Sequence, residues 1–159
     1  MTIVELTDDD FAAMLRGEVS VRAGLTQPPG GVDQPEVLRH VRRLASNLRC
    51  NGFSGGHWMM VVSGEVVGLC GFKAPPSSAG EIELGYGVAE SRRGRGHASA
   101  AVGAVIEVTR YNQTVRAIVA LTAVGNFASQ RVLEHNGFER VDTRVDPDDG
   151  DVFFWRKRL

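Results

Sequence analysis

The apolar and polar positions of residues 81–110 predict a strand, a turn and a helix, in that order. Residues 81–88 alternate at a period of two, which is typical of a strand with two different faces. The apolar face carries Ile82, Leu84, Tyr86 and Val88. The opposite face carries Glu81, Glu83, Gly85 and Gly87. From Ala98 to Ile106 apolar residues recur at helical spacing, which predicts a helix packed on the sheet.

The remaining pattern predicts strands and helices on both sides of this segment. A short strand at residues 2–6 precedes a helix that Thr7 caps, and Pro35 begins a second helix. Residues 19–31 predict an irregular surface loop. Further strands are expected at 57–62, 65–72, 116–121, 138–145 and 151–157. The strand at 116–121 should lie parallel to the strand at 81–88, because a helix connects the two.

Composition and charge place limits on the class of protein. The 159 residues are expected to form one domain, 1–159, and the net charge of -1 provides no field that attracts nucleic acid or an anionic membrane. The absence of a basic segment followed by a long apolar run predicts a cytoplasmic protein. Cys50 and Cys70 are too few for a zinc site or a disulfide framework, so we expect reduced, buried thiols and no metal.

The turn between the predicted strand and helix has the composition of an anion-binding site. Its residues are Arg93, Gly94, Arg95, Gly96, His97 and Ala98. Glycine permits positive φ and close approach of the backbone, and the first turn of a helix has amides without partners. Arginines add charge that cannot be titrated away. The segment therefore predicts a pyrophosphate site, although an ordinary surface turn would also satisfy the pattern.

Two motifs make the chain similar to a known family. The pattern Arg-x-x-Gly-x-Ala at residues 93–98, directly after a strand, resembles the acetyl-CoA signature of the GNAT superfamily of N-acetyltransferases. Residues 126–138, which begin Asn-x-x-Ser and end Gly-Phe, resemble the family's second motif. The branch that resembles ribosomal-protein N-terminal acetyltransferases implies that Asn126 contacts pantetheine and that Ser129 points toward the coenzyme.

The resemblance implies a GNAT-like α/β (α+β) fold. Its mixed, mostly antiparallel central sheet would have six to seven strands, flanked by about four helices, with a splayed parallel strand pair. The backbone around Val88 would then bind pantetheine or the thioester oxygen. The acceptor would lie on the strand face that carries Glu83 and Glu81.

Candidate catalytic residues follow from the chemistry of amine acetylation. An amine attacks only when it is neutral, so a lysine-like amine with a pKa of about 10.4 needs a base far more than an α-amino group with a pKa near 8. Glu83 is the preferred base and Glu81 the second candidate, unless both carboxylates only pair with neighbouring arginines. The second motif lacks the tyrosine that many members use as the acid. Ser129, and after it Tyr86, are the substitutes we expect.

The sequence therefore predicts transfer of an acetyl group from acetyl-CoA, as co-substrate, to a primary amine by direct attack in a ternary complex. The acceptor would be a small-molecule amine or a protein N-terminus. A non-catalytic acyl-CoA-binding regulatory module is the first alternative. The second alternative is a nucleotide-phosphate-binding domain of another fold.

Overall fold

A computed structural model describes residues 1–53, 55–148 and 150–159. Its four α-helices are α1 (Asp8–Leu15), α2 (Pro35–Cys50), α3 (His97–Thr109) and α4 (Phe127–His135). Its strands, in chain order, are β1 (Thr2–Glu5), β2 (Ser20–Arg22), β3 (Leu25–Thr26), β4 (His57–Val62), β5 (Glu65–Phe72), β6 (Glu81–Val88), β7 (Ala117–Ala123), β8 (Glu139–Asp146) and β9 (Gly150–Arg158). A single 3-10 turn at Glu90–Arg92 precedes α3.

The strands form one mixed sheet. Seven of them follow the order β1-β4-β5-β6-β7-β9-β8, and β2 and β3 lie off this path, with β3 beside β5. Within the seven-strand path, β6 and β7 are the parallel pair and the other neighbours are antiparallel. This confirms the predicted α/β fold, with its mostly antiparallel sheet, four helices and one parallel pair within that path.

Apolar side chains cover both faces of the sheet. Met59 and Met60 are neighbours in β4 and are both fully buried, but they belong to different core clusters because successive strand residues point to opposite faces. The cluster around Met59 includes residues of α1 and α2. The cluster around Met60 includes residues of α3 and α4, together with Ile82 and Leu84 of the predicted apolar face.

Local signals in the sequence account for most of the element boundaries. Thr7 caps α1 through a capping box with Asp10, whose carboxylate accepts from the Thr7 N–H at 2.7 Å. Pro35 occupies the first turn of α2, as predicted. The prediction for residues 19–31 was wrong in part, because this segment contains β2 and β3. β2 and β3 have three and two residues, which are too few to show an alternation of apolar positions in the sequence.

The two cysteines differ in environment. Cys70 of β5 is buried, as predicted, and burial raises the pKa of its thiol to about 12. Cys50 is exposed, so the prediction of a buried thiol there was wrong. It is the last residue of α2.

His57 is a buried titratable group at the start of β4. It is 4% exposed, its ring packs directly over Gly71, and its Nδ1 has no hydrogen-bond partner among the described residues. Burial, and to a smaller degree the nearby Arg49 cation, lower the pKa of His57 to about 4. The ring is therefore neutral at pH 7 and stays neutral well below the pH at which an exposed histidine takes up a proton.

We predict that His57 makes the fold sensitive to acid. The pKa of His57 is lower in the folded than in the unfolded protein. Its contribution to the free energy of unfolding is therefore fully present above the unfolded pKa of about 6.5 and is lost as the pH falls toward 4. Denaturant unfolding should show a loss of about 2 kcal/mol between pH 7 and pH 5. His57→Gln should remove most of this dependence, whereas the same change at the exposed His40 should retain it. Equal pH dependence in the two variants would contradict the assignment.

Candidate active site

The parallel strands β6 and β7 separate after a short paired region. Their register includes only Glu81, Ile82 and Glu83 of β6, opposite residues 117–119 of β7. Beyond this point β6 continues to pair with β5 up to Val88, and β7 continues to pair with β9 up to Ala123. We call the opening between the two diverging strands the wedge. It is the splayed pair that the resemblance implies.

The main chain of β6 faces the wedge at alternate residues. Glu83 O accepts from the Lys73 N–H at 2.9 Å, and the Ala89 N–H donates to Val67 O at 2.9 Å, so the odd-numbered residues direct their hydrogen bonds toward β5. The even-numbered residues Tyr86 and Val88 therefore direct theirs into the wedge. The Val88 oxygen accepts from the Arg93 side chain, and the remaining groups need partners that an extended ligand with amide groups would supply.

The predicted phosphate-binding turn lies at the open end of the wedge. We call residues 93–98 the cradle. Gly94 and Gly96 have φ values of 74° and 77°, and a side chain at either position would meet only open space. Gly96 caps α3 without a side-chain hydrogen bond, and the first helical bond runs from Ala100 N–H to Gly96 O at 3.1 Å. The amides of His97 and Ala98 therefore precede the helical ladder and point toward solvent.

The arginines around the cradle have different partners. Arg92 is bonded to Glu65 through two nitrogens, at 2.6 and 2.9 Å, and that bond lowers the pKa of the Glu65 carboxyl. Arg93 Nε donates to Val88 O at 3.1 Å and so ties the cradle to the end of β6. Arg95 is exposed and has no ion pair or hydrogen bond among the described residues. Arg93 and Arg95 thus have no carboxylate within ion-pair distance among the described residues, and their charges are available to an anion.

Helix α4 brings the second motif to the other side of the wedge. Asn126 caps this helix, because its side-chain oxygen accepts from the Ser129 N–H at 3.1 Å. Tyr86 reaches across from β6 and donates its hydroxyl to Ser129 O at 3.2 Å. Burial raises the pKa of Tyr86 to about 12, and the hydrogen bond with Ser129 opposes part of that shift. The structure therefore brings Tyr86 and Ser129 together, and a phenol from β6 lies beside the helix that lacks a tyrosine.

We call the face of β6 that carries Glu81, Glu83, Gly85 and Gly87 the glycine face. It holds both predicted bases, and each base lies beside a cation. Glu83 Oε1 lies 2.6 Å from Lys73 Nζ, and Glu81 Oε1 accepts from Arg156 Nε at 2.7 Å. Lys73 and Arg156 were not predicted as partners, since nothing in the linear pattern brings residues 73 and 156 to the same face. A carboxylate of Asp33 also lies on this face, beside Gly87. It belongs to the segment before α2, in which the sequence showed no readable signal.

Together the wedge and the cradle suit an extended ligand with a phosphate-bearing end. The family model of the acetyltransferase (GNAT) domain matches residues 1–139. The chain therefore belongs to the GNAT acetyltransferase family. This membership removes the alternative of a phosphate-binding domain of another fold.

Comparisons with known proteins agree with this assignment. The chain is 33% identical over 106 residues to the uncharacterised N-acetyltransferase YjdG of Bacillus subtilis (strain 168), which is 65% of this chain and 62% of that relative. The structure is similar to RimL, a ribosomal L7/L12 alpha-N-protein acetyltransferase in complex with coenzyme A, with a TM-score of 0.75, 19% identity, and coverage of 99% of this chain and 93% of that one.

A second solved structure with the same fold is the aminoglycoside acetyltransferase AAC(6')-Ib in complex with coenzyme A. Its TM-score is 0.72 at 20% identity, with coverage of 99% of this chain and 94% of that one. At these identities the two structural likenesses establish the fold alone. No helix in the described part of the chain has both the length and the apolar character needed to cross a membrane.

We predict that Gly96→Asp weakens the binding of acetyl-CoA by at least about tenfold, because a carboxylate in the cradle repels a phosphate and covers the free amides. Gly52→Asp is the matched control. Gly52 has φ 75°, lies in open space and is at the end of α2, so both variants should lose about 1 kcal/mol of stability through backbone strain. Calorimetry and thermal unfolding test this. An unchanged dissociation constant for Gly96→Asp would contradict the cradle.

Proposed function

We propose that residues 1–159 form a single acetyltransferase domain that transfers the acetyl group of acetyl-CoA to a primary amine by direct attack in a ternary complex. The observation that carries this proposal is the wedge opening directly beside the cradle. The amides of Tyr86 and Val88 would bind the pantetheine arm and the thioester oxygen. The amides of residues 94–98 and the side chains of Arg93 and Arg95 would bind the diphosphate. Asn126 and Ser129 would border the pantetheine arm from α4.

Direct attack is favoured over a covalent acetyl-enzyme by the state of the cysteines. Cys70 pairs with Tyr86 in the sheet and is the cysteine nearer to the wedge. Burial raises the pKa of its thiol to about 12, so only a minute fraction is thiolate at pH 7. Cys50 lies at the end of α2, which places it outside β6 and β7. The amine itself is therefore the nucleophile that attacks the thioester carbon.

Glu83 is the residue we assign as the base. It lies on the glycine face three residues before Tyr86, and its ion pair with Lys73 involves a lysine that is 45% exposed and therefore able to move. The proton leaves the amine directly or through one water molecule. Glu81 lies two residues further from the wedge along β6 and is paired with Arg156, so it is the second candidate. The lone pair of the amine forms the new C–N bond while the C–S bond breaks.

We predict that Glu83→Gln lowers kcat by about 10² to 10⁴ for an amine with a lysine-like pKa, because the neutral fraction of that amine is small without a base. The dissociation constant for acetyl-CoA should not change. Glu81→Gln, which removes an equally paired carboxylate from the same face, is the control and should retain most activity. Thiol release with a panel of amines measures both variants. Equal loss in the two variants would count against Glu83.

The same assay separates the enzyme from the regulatory alternative. A non-catalytic acyl-CoA-binding module would bind acetyl-CoA saturably and release no thiol with any amine. The binding of acetyl-CoA is measured first, by calorimetry. If no saturable binding is seen up to millimolar acetyl-CoA, both the enzyme and the regulatory module are ruled out.

Ser129 is the residue we assign as the acid for the departing thiolate, with Tyr86 as the second candidate. The Tyr86 hydroxyl is engaged with Ser129 O, whereas the Ser129 hydroxyl has no hydrogen bond within the described residues. We predict that Ser129→Ala lowers kcat by about tenfold or more and that Tyr86→Phe has the smaller effect. Single-turnover kinetics measures the chemical step. A larger loss in Tyr86→Phe would reverse the assignment.

A further inference from the structure

A cavity of about 510 Å³ lies between the end of α1, the segment that follows it and the start of α2. Its apolar lining includes Met14, Leu15, Val19, Pro28, Pro29 and Leu38. This volume is in the range of small-molecule sites, and apolar walls of this kind favour a hydrocarbon body. The polar side chains at its border include those of Gln27 and Asp33.

Asp33 connects this cavity to the reaction site. Its Oδ1 accepts from the Gln34 N–H at 2.8 Å, which fixes the carboxylate. Its Oδ2 lies 3.4 Å from the point where a β-carbon on Gly87 would stand, so the carboxylate rests against the glycine face of β6 beside the wedge. A side chain larger than that of glycine at residue 87 would narrow this passage.

The charge of Asp33 is not neutralised by the protein. Glu81 and Glu83 on the same face each have a cation within ion-pair distance, at 2.7 and 2.6 Å. Within the described ranges Asp33 has no such partner. An unpaired carboxylate at the border of an apolar cavity is a strong acceptor for a ligand cation, because a charge-assisted hydrogen bond is roughly twice as strong as a neutral one.

Gln27 adds a second acceptor to the same corner. Its Nε2 donates to Glu18 O at 2.7 Å, which orients the amide, and its Oε1 is buried without a donor in the described structure. The Gln27 Oε1 and the main-chain oxygen of Asp33 both lie 3.8 Å from the position of a β-carbon on Gly31. A buried acceptor without a donor is unfavourable, so a ligand N–H that reaches it would gain a bond that the free protein lacks.

We propose that the acceptor substrate is a primary amine carried on a compact apolar body, and that Asp33 binds its ammonium group at the passage from the cavity to the wedge. This inference rests on the proposed acetyl transfer and names the substrate class for it. A polycation would require several unpaired carboxylates. Of the two carboxylates that line the cavity in the described chain, Glu18 is paired with Arg16, and Asp33 is left to bind a single ammonium group. Asp33 acts as a specificity residue that delivers the amine to the face where Glu83 lies.

The test uses 2-phenylethylamine as the probe and measures its binding by calorimetry to the protein saturated with coenzyme A. Asp33→Asn keeps the shape and the bond from Gln34 but removes the charge, so we expect binding about tenfold weaker. Glu18→Gln is the matched control, because Glu18 borders the same cavity but is paired with Arg16, and it should bind as the wild type does. In turnover, KM for this amine should rise about tenfold in Asp33→Asn with kcat nearly unchanged.

Each other outcome of this experiment has a defined meaning. Equal affinity of the wild type and Asp33→Asn, tighter binding of spermidine than of 2-phenylethylamine, or saturable binding of the uncharged 2-phenylethanol would overturn the proposal. So would the absence of saturable amine binding up to about 10 mM, which corresponds to an interaction too weak for a substrate site. The binding of acetyl-CoA is measured separately, and its absence would overturn the proposed function itself.

Discussion

The separation of β6 from β7 after three paired residues is the constraint on which the rest of the site depends. A strand inside a sheet normally has both rows of main-chain groups satisfied, and unpaired groups away from water are costly. Here β6 pairs with β5 from Leu84 to Val88, and β7 pairs with β9 from Ala117 to Ala123, so the two strands remain in one sheet although they diverge. The diverging strands therefore present main-chain donors and acceptors in the wedge, and a ligand can form hydrogen bonds with them.

Three carboxylates around the wedge are paired with cations of the protein. Arg92 is bonded to Glu65, and the two carboxylates of the glycine face are paired with Lys73 and Arg156. Among the described residues, Arg93 and Arg95 on the side of the cradle and Asp33 on the side of the cavity have no ion-pair partner. The two ends of the site thus differ in sign, which favours an anionic coenzyme at one end and a cationic acceptor at the other.

The sequence was sufficient for the fold because its strongest signals are local. The alternation along residues 81–88, the cap at Thr7 and the proline at residue 35 each determine a boundary through short-range geometry. Residues 19–31 lack such signals, since strands of three and two residues are too short to show a period. The turn at residues 93–98 was predictable for the same reason, as its residues are contiguous.

The residues of the site that come from distant parts of the chain were harder to predict. Arg156 meets Glu81 because β9 pairs with β7, and Lys73 meets Glu83 because β5 pairs with β6. Asp33 meets Gly87 through a loop whose path has no pattern. The sequence shows that α4 has no tyrosine. Only the structure shows that the phenol of Tyr86, from β6, lies beside α4. Long-range contacts of this kind depend on register, which a single sequence specifies weakly.

The last strand on the β7 side has a consequence for the solubility of the folded protein. β8 is an edge strand of this sheet, and an edge strand has unpaired main-chain N–H and C=O groups with which a strand of another molecule can pair. Its register shifts between Arg140 and Asp142, and the guanidinium groups of Arg140 and Arg144 lie over the rings of Phe153 and Phe154, at 4.4 and 3.5 Å. The resulting kink and the charged covering of the aromatic rings oppose the fibrillar stacking of copies along this edge.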